Sequence, residues 1–319
     1  MMTILTVGFA CLDLLCFTSS SLEQNGSITS DNFVHCGGGS CANTAYLLAL
    51  WGEDIYHIGH LNNDHHGNQI ETELANVGVN TRQFIFSEKM ITPLEAITIN
   101  EQSNTYSIIS HRLMQPPKLT ITEKDKLAHF IRTVSENKHE IVMLADGYEA
   151  ELSEYLIEHL PKVKVIMSVD NLSANSLYLA QQADYLIVTE QFASAFVKLK
   201  AFYNSEQIKN ALKKLRNLTN GKIIIRMYNK DCVYLDHQQV VIISGFNKQT
   251  ADNITENDIF QGAFTYGISY GWPLAKTILF ANLAIAAANN QKRGRSAMPN
   301  LVDINLAGKD LIKDFKYFF

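Results

Sequence analysis

Three short stretches carry residue types able to bind or activate a hydroxyl group. The first runs through Thr255-Glu256-Asn257-Asp258, where Asp258 stands at the start of a long apolar helical pattern. A carboxylate there can accept a proton from a hydroxyl nucleophile while the helix end holds a phosphate. Thr255 followed three residues later by Asp258 also fits a capping box, so the local pattern leaves both readings open. The second is Gly37-Gly38-Gly39-Ser40-Cys41-Ala42-Asn43, a glycine run at the entrance to another helix. Consecutive glycines let backbone amides approach a ligand closely. Asn43, one turn in, both donates and accepts, which suits a vicinal diol as well as it suits a bond to backbone. The third is Asp13, which follows directly on an apolar first segment. In an open α/β sheet, ligands bind beyond the carboxyl ends of the strands, so Asp13 is placed either to hold a hydroxyl or to cap a turn.

These residues need elements to position them. Apolar runs rich in Val and Ile recur at 55–59, 141–146, 163–169, 184–189, 222–227 and 240–244. Strands without alternation are covered on both faces, as in a parallel sheet flanked by helices. Between them lie helical spacings at 40–51, 67–77, 123–137, 206–218 and 258–270, and the alternation specifies an α/β fold. The apolar N-terminus has no basic lead and carries Asp13, so it reads as a first core strand rather than a signal peptide. The apolar stretch 259–288 is broken by Pro273 and Lys276 and reads as two buried helices, not a bilayer span. The group Lys209, Lys213, Lys214 and Arg216 is spaced as a solvated helix face.

Two segments depart from this rhythm. Residues 14–36 hold an Asn-Gly turn signal, and residues 91–112 alternate apolar positions around a polar turn. They read as antiparallel strands forming a lid. Its apolar positions, Leu14, Cys16, Phe17, Ile97, Ile99 and Ile108, exceed what a small flap buries, so the lids are expected to pair between two chains as a homodimer.

The chain has 319 residues, 46% of them apolar, ample for a core. Lys plus Arg total 27 against 32 Asp plus Glu, a formal charge of -5 that argues against nucleic acid as a partner, and no membrane partner is expected either. Five cysteines, an odd number without Cys-x-x-Cys spacing, argue against a disulfide framework or structural zinc and favour a cytoplasmic setting. The paired spacings Cys11/Cys16 and Cys36/Cys41 leave a metal cluster open, although no metal ligand is assigned.

Taken in order, Asp13, the GGGSCAN run, Gly59 followed by Asp64-His65-His66-Gly67, the segment Asp252 to Asp258 before Gly262-Ala263-Phe264, and the closing RGRSAMP (293–299) resemble the ribokinase/PfkB family of sugar and nucleoside kinases over nearly the whole chain. The resemblance implies a single ribokinase-like domain over residues 1–319. It would be a three-layer α/β sandwich with a mostly parallel central sheet and a small β-sheet lid. It implies Asp258 as general base, Asp13, Gly38, Gly39 and Asn43 holding the acceptor's hydroxyls, and the backbone of 255–258 as the anion hole. ATP and Mg2+ would be the phosphoryl donor and its metal.

Three departures fall on the nucleotide side. Where the family reads Asp-Thr-x-Gly-Ala-Gly-Asp, Thr255 and Asn257 replace both glycines, at about 1–2 kcal/mol each were the backbone left-handed. Glu256 would oppose a phosphate about 4 Å away by about 4 kcal/mol at an effective dielectric of about 20. Arg226-Met227-Tyr228 stands where the family leaves room for the nucleotide, and Thr189-x-x-Phe192 replaces Asn-x-x-Glu, with Glu190 as a substitute contact to magnesium. Two readings follow: an active kinase, or a pseudokinase that keeps the sugar pocket but does not bind ATP productively.

Overall fold

The computed structural model describes residues 2–20, 25–30, 32–103, 105–136, 140–170, 172–246, 253–288 and 294–313. The chain opens with β1 (Thr3–Val7), β2 (Cys11–Thr18), β3 (Asn32–Gly38), α1 (Ser40–Leu50), β4 (Ile55–Ile58), β5 (His60–Leu61) and α2 (His65–Val77). There follow β6 (Ile85–Phe86), β7 (Leu94–Asn100), β8 (Thr105–His111), α3 (Ile121–Glu136), β9 (Ile141–Ala145), α4 (Ala150–His159), β10 (Val163–Val169), α5 (Ala174–Ala180) and β11 (Tyr185–Thr189). The last part holds α6 (Glu190–Phe196), α7 (Ser205–Leu215), β12 (Lys222–Arg226), β13 (Cys232–Asp236), β14 (Gln239–Ile243), α8 (Asn253–Ser269), α9 (Leu274–Ala287), a short 3-10 turn (Gly294–Ala297) and α10 (Leu301–Leu311).

Eight strands form the main sheet in the order β14-β13-β12-β11-β10-β9-β1-β4. Its pairings are parallel from β4 to β12, as the unbroken apolar runs require, and antiparallel for β12–β13 and β13–β14. Every residue of β1 is buried, with Ile4 facing one core and Leu5 and Val7 the other. One core packs α1, α8 and α9 against the sheet; the other packs α3, α4 and α7 against the opposite face. Two layers of helices therefore enclose the sheet, and the result is the expected three-layer α/β sandwich with a mostly parallel central sheet. The stretch 259–288 does split into two helices, α8 and α9, with Pro273 as the N-cap of α9 because proline suits a helix start and not its middle. Lys213, Lys214 and Arg216 are exposed on and just after α7, as expected of a solvated face.

The small sheet has the order β3-β2-β7-β8. Its β2–β3 and β7–β8 pairings are antiparallel, but β2 and β7 run parallel, which corrects the expectation of antiparallel strands throughout. They lie about eighty residues apart in the chain, so no hairpin turn dictates their direction. Register puts Asp13 between Cys36 and Glu95, inside a strand rather than at a cap. Leu15, Phe17, Ile97 and Ile99 bury one another in a separate small core. Five of the six lid positions expected to need a second chain are thus covered or half-covered within one, Phe17, Ile97 and Ile99 fully and Leu14 and Cys16 in part; Ile108 stays exposed.

Candidate active site

A cleft of about 670 Å³ lies beyond the carboxyl ends of the parallel strands, under the lid sheet. Asp13, Gly39 and Asn43 line it together with Asn257 and Asp258, so residues more than two hundred positions apart in the chain meet on one wall.

Local folding explains why the glycine run is glycine. Gly39 is the N-cap of α1 and has φ +89, and a Cβ there would strike the Phe9 carbonyl. A Cβ on Gly38 would collide with the Asp13 carboxylate, so the close fit of that carboxylate against the backbone requires glycine at this position.

Asn43 and Asp258 face each other because α1 and α8 pack closely. Four residues further along each helix, Leu47 meets Gly262, where an added Cβ would lie 2.8 Å from Leu47 Cδ2. Residues four apart share a helix face, so the same approach that seats Leu47 on Gly262 brings Asn43 Nδ2 to 2.8 Å from Asp258 Oδ2, donating to it. Ser40 Oγ donates to Gln261 Oε1 at 2.9 Å and locks the two helices at their cleft ends. Asp258 itself is buried. The amide of Asn43 is more committed than a pure ligand contact: its Oδ1 also accepts from Arg295 Nε at 2.8 Å.

On the same wall, α8 starts at Asn253, two residues before Thr255, so Thr255 is not the N-cap that the capping box with Asp258 requires. None of residues 255–258 has a positive φ, and the left-handed cost of the missing glycines does not arise. Helical geometry ties the Asn257 and Asp258 amides to carbonyls four residues earlier, so these two amides are committed to the helix and do not form the expected anion hole. Glu256 is buried and its Oε1 lies 2.9 Å from Lys230 Nζ, so the charge expected to oppose a phosphate is paired. Arg226 donates from Nη1 to Asn257 Oδ1 and lies 4.4 Å from the Phe260 ring centroid; burial lowers its pKa. Tyr228 is 70% exposed and does not line the cleft. Thr189 caps α6 by accepting from the Phe192 amide, and Glu190 Oε2 accepts from the Tyr228 amide at 3.0 Å, so Glu190 anchors a turn.

The structure also adds residues. Asp146 ends β9 in the cleft, accepting from the amides of Phe9 at 2.8 Å and Tyr148 at 2.9 Å; burial raises its pKa against those two bonds. The strand-end rule that singled out Asp13 applies equally to Asp146, so this residue was findable. Glu95, Ser110 and Arg112 come from the lid. Glu95 accepts from Ser110 Oγ at 2.6 Å, and Arg112 lies 4.7 Å from the Phe9 ring centroid. Cys11, Asp13 and Glu95 bring their donor atoms within 4.8 Å of one another. Burial pushes the Cys11 thiol well up, with the carboxylates of Asp13 and Glu95 adding to it. It therefore donates to Asp13 Oδ1 at 3.0 Å as a thiol, a poor metal ligand. Asp64, in the DHHG run, caps α2 by accepting from the Gly67 amide and does not line the cleft.

The chain is thus an α/β sandwich that presents a buried carboxylate, from the second turn of α8, to a lidded cleft at the strand ends. The chain belongs to the pfkB family of carbohydrate kinases, whose model matches residues 1–301. Among its relatives, the ribokinase of Lactococcus lactis is 20% identical, with 96% of each chain covered. A 5-dehydro-2-deoxygluconokinase of Bacillus licheniformis is 21% identical, with 94% of each covered. The structure of the Arabidopsis thaliana ribokinase complexed with ribose and ATP has the same fold, with a TM-score of 0.77 at 19% identity, covering 96% of this chain and 98% of that one. Among the described residues no helix is long and apolar enough to cross a membrane.

Proposed function

We propose that the protein, acting as one ribokinase-like unit over residues 1–319 with lid insertions at about 14–36 and 91–112, transfers the terminal phosphate of ATP to a hydroxyl of a sugar or nucleoside. The observation that carries this reading is the buried Asp258 carboxylate, oriented by Asn43 on the wall of a cleft that also presents Asp13. The acceptor's hydroxyl oxygen attacks the terminal phosphorus, its proton passes to Asp258, and the bond to the ADP oxygen breaks. The Asn43 amide donates to Asp258 Oδ2, and the other carboxylate oxygen takes that proton. Asp13, the backbone at Gly38 and Gly39, and the remaining N–H of Asn43 hold the acceptor's other hydroxyls.

On the donor side, the Arg226 guanidinium and the start of α8 around Thr255, Glu256 and Asn257 are the groups nearest to where the phosphates would lie, with Arg226 and Asn257 lining the cleft. Phosphoryl transfer is mostly positioning and charge stabilisation, which these groups supply. Magnesium prefers one or two carboxylates plus phosphate and water oxygens. Asp146 and Asp170 line the cleft and are the carboxylates that would hold it. The metal would neutralise charge on the transferred group. Against the pseudokinase alternative, Glu256 is paired, Tyr228 does not line the cleft and no residue of 255–258 has a positive φ; Phe192 in place of the family's Glu is the departure that still favours it.

The five free thiols fit a cytoplasmic setting. The lid leaves Phe33 57% and Ile109 75% exposed, which supports homodimer pairing through its outer face; a monomer by light scattering at micromolar concentration overturns that point. The principal test is calorimetric and kinetic. ATP–magnesium at about a hundred times its Kd should stabilise the fold by about 2.7 kcal/mol, and ADP should be released when a sugar or nucleoside is added. No nucleotide-dependent stabilisation would refute the reading.

A further inference from the structure

We propose that Arg295, which does not line the cleft, is a positioning residue for the general base, acting through Asn43. The inference rests on the kinase reading above. Arg295 is 5% exposed, and a buried guanidinium is held only where partners compensate it. Its partners lie on both sides of the glycine run. Nε donates to Asn43 Oδ1 at 2.8 Å, Nη2 reaches the Gly38 carbonyl at 3.5 Å, and Nη1 lies 2.9 Å from Glu73 Oε1, a charge contact from α2. Glu73 Oε2 in turn accepts from the Gly37 amide at 2.8 Å. The guanidinium carbon lies 5.0 Å from the Tyr46 ring centroid. A Cβ on Gly37 would collide with Nη1, so Gly37 is glycine to admit this arginine.

The consequence concerns the orientation of an amide. Asn43 presents one oxygen and one NH2, and a flip exchanges them. Arg295 only donates and an ionised Asp258 only accepts, so the pair dictates that Oδ1 faces the arginine and Nδ2 the carboxylate. A flip would break both bonds and set like against like at each end. Arg295 therefore holds the donor on Asp258 and with it the direction in which the carboxylate presents its other oxygen to the cleft. Through Gly37 and Gly38 the same side chain ties the root of lid strand β3 to that base.

Arg295→Lys keeps the charge opposite Glu73 but removes the planar fork that reaches Asn43. It should lower kcat by about tenfold or more, with KM for ATP and for the acceptor within about twofold, because misplacing the base affects the transition state rather than binding. In an Asn43→Ala background the same change should lower kcat by less than about twofold, since the arginine acts through that amide. Glu73 is partly exposed, so Glu73→Gln is a variant that keeps the fold; it should lower kcat by about threefold or more with the same unchanged KM. If Arg295→Lys does not fold, Glu73→Gln and its own cycle with Asn43→Ala decide the matter alone. Unchanged kcat in these variants, a loss shared equally by KM and melting temperature, or full additivity with Asn43→Ala overturns the inference while the kinase reading stands. A parent protein that transfers phosphate to no acceptor overturns both.

Discussion

The Lys230–Glu256 pair decides how the donor side tolerates an acidic residue where the family carries none. At an effective dielectric of about 20, a phosphate charge about 4 Å from the Glu256 carboxylate is opposed by about 4 kcal/mol, and an ammonium about 6 Å away returns about 3 kcal/mol. The ion pair at 2.9 Å thus leaves only a small residue of the repulsion, and Lys230, with 26% of its side chain exposed, is screened by salt only in part. Replacing it by an apolar side chain of similar length, Lys230→Met, keeps the backbone at φ 69 as strained as before and removes only the charge. ATP affinity should fall by about 2–3 kcal/mol, roughly 30- to 150-fold in Kd. Glu256→Gln should tighten ATP by at least about tenfold, and the double variant should return to the parent's affinity or slightly better. Isothermal titration with ATP–magnesium measures all four proteins. Should Lys230→Met bind ATP as the parent does, or should the double variant stay as weak as Lys230→Met, then Glu256 does not face the phosphates and the donor-side reading is wrong.

Asp258→Asn preserves shape and the contact with Asn43 while removing basicity; turnover should drop by about a hundredfold or more with acceptor affinity nearly unchanged, read by steady-state kinetics. Asp13→Ala removes a charged partner of the acceptor and should weaken its binding by about 1–3 kcal/mol, measured by titration; binding equal to the parent's for every polyol tried would place the pocket elsewhere. Burial, with Arg295 adding to it, pushes the His57 imidazole down from 6.5 to about 3. The unfolded chain takes up this proton near pH 6.5 and the native protein only near 3, so stability is full above pH 6.5 and falls by about 1.4 kcal/mol per pH unit between them. Urea melts from pH 7 to 5 should show that slope, and His57→Gln should flatten it.

Much of the molecule was legible from the chain alone. The runs at 55–59, 141–146, 163–169 and 184–189 became β4, β9, β10 and β11, because a strand covered on both faces has to be apolar at every position and announces itself locally. The glycine run was equally visible, since a backbone that must approach a carboxylate or a carbonyl excludes a Cβ whatever surrounds it. What the sequence could not decide was pairing. Glu256 read as a charge against phosphate until Lys230, on a turn twenty-six residues earlier, was found beside it. Asn43 suited a ligand or a bond to backbone equally, yet Arg295, 252 residues later, claims its carbonyl. The parallel direction of β2 and β7 and the burial of Phe17 against Ile97 and Ile99 likewise belong to the small sheet as a whole. Covalent neighbours and periodicity carry the elements and the backbone shapes, because those depend on interactions within a few residues. The charge state, orientation and partners of a buried polar group depend on whatever the fold brings to within about 3 Å, the reach of a hydrogen bond, and in this protein only the tertiary structure supplies that.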